Sequence, residues 1–231
     1  MGLFLTLSGV IGKSPNEVEN ALRNYLETSD GGLEQASVNS NHRNFCVIQH
    51  AEENTTIVYP PYFLKWDECA NYLSRKLKAP VFILHIYDGD FWSYTLFVNG
   101  EIKDQFMPIP DYFDENITEE EIDSWKGNAQ VIVNYVPSIV KADIEKYLVR
   151  WNLNEEEGKA YENDESTNCE YQLFDFMRKL KLPYKIDENG VPIGKVFRFW
   201  SKDIQLEPNH VEQPRAYISS PMKKKSWRKF W

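Results

Sequence analysis

From position 85 to position 94 the chain sets His85, Tyr87, Asp88, Asp90, Trp92 and Tyr94 close together. An imidazole beside a carboxylate can act as a general acid or base, and His with Asp can also hold a metal ion. Asp88-Gly89 and Asn99-Gly100 are both two-residue hairpin signals between β-rich runs. Two tight turns fix the register, so counting outward from the first pairs His85 with Trp92, Ile83 with Tyr94 and Tyr87 with Asp90. On that count Ile83, His85, Tyr87, Asp90, Trp92, Tyr94, Glu101, Lys103 and Gln105 share one mixed polar and aromatic face. Phe82, Leu84, Ile86, Phe91, Phe97, Ile102 and Phe106 gather on the other as core. Asp88 then points away from His85 and suits its turn for backbone reasons alone. Asp90 lies diagonal to His85. These two residues, His85 and Asp90, are the weak catalytic candidates, and Tyr87, Trp92 and Tyr94 are the aromatic binding candidates.

A second group is the acidic run of Asp111, Asp114, Glu115, Glu119, Glu120, Glu121 and Asp123. It lacks the alternating oxygen ligands, the bend glycine and the spaced final Glu of a calcium loop. Acids at a helix start answer part of it. The remainder points to a surface for a basic partner, which the acids at 155–157 and 162–165 would widen. Cys46 and His50, four apart in a strand-like stretch, share a face but have no recognisable orienting group or oxyanion site beside them. Gly12-Lys13-Ser14 imitates the end of a phosphate-binding loop, but the first Gly of that motif would fall at Leu7. The three cysteines are scattered with no CxxC pair, as in a reducing, cytoplasmic setting. No cofactor or metal is implied.

The elements that must position these residues are legible from periodicity. A strand over 3–11 precedes Ser14-Pro15-Asn16-Glu17, a capping box with Pro at the first helical position. Residues 3–11 read as a strand in preference to a signal peptide. Val18, Ala21, Leu22, Tyr25 and Leu26 follow at helical spacing. Strands at 33–38, 45–50 and 55–59 lead to a second helix carrying Trp66, Cys69, Ala70, Leu73 and Leu77. The order strand, helix, strand, strand, helix, strand predicts an α+β fold with a split βαβ, ferredoxin-like unit, extended by a β-meander.

From about 107 the class changes to mainly helical. Thr118 to Glu121 is a second capping box, opening a helix through Ile122, Trp125, Ala129, Ile132 and Val136 that ends at Pro137 or earlier at Gly127. Ile144, Leu148 and Trp151 mark a further helix, as do Tyr171, Phe174, Met177 and Leu180, before a late strand over 196–200. The two regions are 1–107 and 108–231, and they divide either two domains or one compact unit.

Hydrophobic residues make up 42% of the 231 and aromatics 14%, enough to build a core with aromatics to spare for an interface. The net charge is −9, which disfavours general binding to phosphate backbones. Residues 222–231 carry five positive charges and none negative, so the rest of the chain holds −14. This basic, aromatic segment can fold back on the acidic body or touch an anionic surface. No apolar run is long enough to span a membrane. Together these features predict an intracellular protein-binding protein with an acidic, aromatic-rich surface and a protein partner of basic character. A toxin-neutralising immunity protein is one specific form. The alternative is a small-molecule enzyme of unknown reaction using the His85 face.

Overall fold

The computed structural model describes residues 3–36, 44–114, 116–136, 139–151 and 169–202. Eight strands form one sheet: β1 (Leu5–Val10), β2 (Gly32–Gln35), β3 (Phe45–Ala51), β4 (Asn54–Val58), β5 (Val81–Tyr87), β6 (Phe91–Val98), β7 (Glu101–Phe106) and β8 (Lys195–Trp200). Their spatial order is β2-β8-β3-β4-β1-β5-β6-β7, and every neighbouring pair is antiparallel.

Helix α1 (Pro15–Glu27) starts where its residue types require. Ser14 caps the Glu17 amide, and the Glu17 carboxylate returns to the Ser14 backbone at 3.1 Å. Helix α2 (Trp66–Leu77) ends on Lys78 in a left-handed conformation. The strand–helix–strand–strand–helix–strand order thus runs through β1, α1, β3, β4, α2 and β5, with β2 as a short extra strand, and β6 and β7 continue it as a meander. The protein is an α+β protein.

The second half is less independent of that sheet than its helical pattern suggests. β8 inserts between β2 and β3, and the ring of Trp200 lies over Gly32, where a Cβ would come within 2.2 Å of it. The helix opened by Thr118 stops early. α3 (Glu119–Ser124) and α4 (Ala129–Tyr135) are separate, because Gly127 turns the chain with a φ of +70° and Asn128 caps a new start. α5 (Lys141–Glu145) and α6 (Cys169–Lys179) are the remaining α-helices among the described residues.

Alternation along the strands loads both faces. Val10, Ile48, Ile57, Val81 and Ile83 pack with α1 and α2 through Val18, Leu22, Cys69 and Leu73. Leu7, Phe82, Leu84, Trp92 and Tyr94 pack with the later helices through Ile132, Ile144, Leu173 and Phe176. No helix among the described residues is long and apolar enough to cross a membrane.

Candidate functional site

The Asn99-Gly100 turn forms as expected, with both residues at positive φ and Val98 paired to Glu101. The other hairpin corrects the register. Tyr87 pairs with Phe91, Ile86 with Trp92, His85 with Ser93 and Leu84 with Tyr94, so the loop holds three residues, Asp88, Gly89 and Asp90. A one-residue slip moves every side chain of a strand to the opposite face. His85 therefore faces the α1/α2 layer, whereas Trp92 and Tyr94 lie in the other core at 0% and 1% exposure. There the Trp92 indole donates to Gln172 of α6 at 3.3 Å, and Tyr94 donates to partly buried Asp104 at 2.6 Å. The same register pairs Phe97 with Val81 in the α1/α2 core, and a shift between Leu96 and Phe97 against β7 separates Ile102, exposed at 56%, from buried Phe106. The expected shared face of His85, Trp92 and Tyr94 does not exist.

A different group takes its place at the end of the sheet. The Asp88–Asp90 loop is held from three sides. The Gly89 amide donates to the Leu3 carbonyl at 2.9 Å, the Cys169 thiol donates to the Gly89 carbonyl at 2.9 Å, and the Tyr112 hydroxyl donates to Asp90. These ties gather aromatics from three chain segments. Phe4 meets Tyr87 edge-on with centroids 5.1 Å apart, and Phe113 meets Tyr87 edge-on at 5.0 Å. Tyr87 also stacks on Phe91 at 5.6 Å, and Tyr112 packs against Phe91 at 4.9 Å.

Phe4 and Phe113 stay half exposed, at 48% and 50%. Asp88 and Asp90 of the hairpin act on the Tyr87 and Tyr112 hydroxyls, and Asp111 and Asp114 flank Tyr112 and Phe113 in the chain. Burial, together with the charges of Asp90 and Asp88, raises the Tyr112 hydroxyl above its ordinary value. Arg150 stands 3.5 Å from Asp111 and offsets part of this acidity. Tyr87, Asp111 and Asp114 were legible as candidates, but Phe4, Tyr112 and Phe113 were not. The signal that could have found them is a Tyr-Phe pair set inside an acidic loop.

His85 is joined to this cluster but engaged elsewhere. Trp66 stacks on it at 5.6 Å, and its Nδ1 shares a hydrogen bond with Thr6 Oγ1 at 2.8 Å. Burial lowers its pKa to about 4, so the ring is neutral at pH 7. Asp90 accepts from Tyr112, so the imidazole and carboxylate of an acid/base pair are directed to other partners. Among the other candidates, Glu121 bonds back to the Thr118 amide at 2.9 Å, while Glu119 and Glu120 are exposed in the first turn of α3. Glu119 and Asp123 line a shallow cleft of about 200 Å³ floored by Phe106, Ile122 and Trp125. Glu115, the acids at 155–157 and 162–165, and the basic segment 222–231 lie outside the described residues.

Burial pushes the Cys69 thiol up to about 12 and Cys46 further still. His50 is exposed and bonds the Asn54 carbonyl at 2.9 Å. Among the described residues no three His, Cys, Asp or Glu side chains are placed to hold a metal ion.

Comparison of the chain with known protein families, curated proteins and solved structures finds no match.

Proposed function

We propose that this is a protein-binding protein whose docking surface is the cluster of Phe4, Tyr87, Tyr112 and Phe113 with its rim of Asp88, Asp90, Asp111 and Asp114, and that its partner presents a basic segment. The observation that carries the reading is two half-exposed phenylalanines from separate segments, both packed edge-on against Tyr87, with Asp88, Asp90, Asp111 and Asp114 as near neighbours in the chain. An aromatic centre with a charged rim suits a protein interface. Covering one such ring is worth about 1.5–3 kcal/mol, and the charges steer the encounter and select the partner. A protein that neutralises a basic toxin by covering it is one form this function takes.

Phe4→Ala and Phe113→Ala each weaken binding to the partner at least tenfold, measured by titration calorimetry, with the thermal midpoint unchanged. Asp88→Asn with Asp111→Asn and Asp114→Asn lowers the association rate and flattens its dependence on salt. Affinity indifferent to both sets of substitutions overturns this site.

A further inference from the structure

The last described strand, β8, brings the chain out at the end of the sheet that carries the aromatic cluster. Arg198 pairs with Phe45, Val47 with Val58, Val58 with Leu7, and Leu5 with Ile86. Tracing those pairs across the sheet sets Trp200 at the same edge as Phe4 and Tyr87. Only β3, β4 and β1 separate β8 from β5, and four strand spacings amount to about 19 Å. Twenty residues lie between Lys202 and Lys223. Fully extended, twenty residues reach about 70 Å, more than that span.

Residues 223–231 are complementary to the cluster in both chemistries. Lys223, Lys224, Lys225, Arg228 and Lys229 match the carboxylates of Asp88, Asp90, Asp111 and Asp114. Trp227, Phe230 and Trp231 match the half-exposed rings of Phe4 and Phe113. Cations set among these aromatic faces gain further from cation–π contact.

We infer that residues 223–231 occupy the Phe4–Phe113 cluster of the same molecule and compete there with the partner. The competition rests on the cluster being a docking surface, whereas the occupancy can be tested without any partner. Zero-length carbodiimide cross-linking of the full chain at low salt reads the contact directly. In the monomer, Lys223, Lys224, Lys225 or Lys229 joins Asp88, Asp111 or Asp114. These links fall at least threefold in Phe4→Ala/Phe113→Ala, which keeps every carboxylate, and they fall likewise at high salt.

A second measurement uses a labelled synthetic peptide of residues 221–231. It binds the full chain carrying Lys223→Gln, Lys224→Gln, Lys225→Gln, Arg228→Gln and Lys229→Gln at least tenfold tighter than the unaltered chain, because the site is vacated. Links spread over all exposed carboxylates, links only between molecules, or equal peptide affinity for both chains overturn the inference. If the links map to the cluster while partner binding ignores Phe4→Ala/Phe113→Ala, the segment's place stands and the docking function falls.

Discussion

Trp66 lies flat over His85 at 5.6 Å and helps bury it, and that burial keeps the ring uncharged. The consequence is a pH dependence with a definite sign. Burial lowers the folded pKa to about 4, below the ordinary value near 6.5. As pH falls the unfolded chain takes the proton first, so stability is full above about 6.5, declines below it, and has lost this contribution once pH passes about 4. His85→Gln removes that part of the slope. Urea unfolding of both chains at pH 7 and pH 4.5 should show their stabilities converging by about 1–3 kcal/mol in the acid. Parallel pH profiles would mean that His85 titrates freely.

At the level of elements, one residue decides what each strand of the β5–β6 hairpin shows to which layer. Asp-Gly signals a tight turn, and Asp88 and Gly89 do sit at positive φ. The same dipeptide also suits a three-residue loop, and the preference for Asp90 in the loop comes from far away in the chain. With Asp90 there, Trp92 and Tyr94 reach Phe176 and Gln172 of α6, eighty residues on. Capping boxes, the Asn99-Gly100 turn and the break at Gly127 are written in adjacent residues, and they were legible. The place of β8 between β2 and β3 and the meeting of Phe4, Tyr112 and Phe113 depend on distant segments, so no local pattern announces them. Of the proposed docking residues only Tyr87, Asp111 and Asp114 were legible in the sequence as binding candidates.

Two expectations separate the core aromatics from the surface ones. Trp92→Ala should cost about 3–5 kcal/mol in urea unfolding. Phe113→Ala should stay within about 0.5 kcal/mol of the parent. Deleting Asp90 should abolish cooperative unfolding, since it would send Trp92 and Tyr94 to the face covered by α2. A chain that loses Asp90 and still unfolds cooperatively would contradict the role assigned to the loop.

Across the whole molecule, buried amides hold the later segment to the sheet. Asn54 accepts from the Gly12 amide at 2.9 Å and donates to the carbonyls of Leu180 and Lys181 at 3.2 Å, while Gln49 exchanges hydrogen bonds with the Lys185 backbone at 2.7 Å. Leu182 then packs where a Cβ on Gly9 would intrude, 2.4 Å from its Cδ1. Asn54→Ala should cost about 1–3 kcal/mol, because it strands buried backbone groups. Hydrogen exchange should show its largest loss of protection around 180–185. That joint bears on the proposed docking surface, since α6 supplies the Cys169 thiol that donates to the Gly89 carbonyl in the loop after Tyr87.

The docking function is tested most directly by paired affinity capture at low and high salt, using three full-length chains: the parent, Phe4→Ala/Phe113→Ala, and Glu119→Gln/Glu120→Gln on α3. A stoichiometric basic protein is expected on the parent and on the α3 variant at low salt, released at high salt, and missing from the aromatic variant. The same protein retained by the aromatic variant, or lost only from the α3 variant, would contradict it.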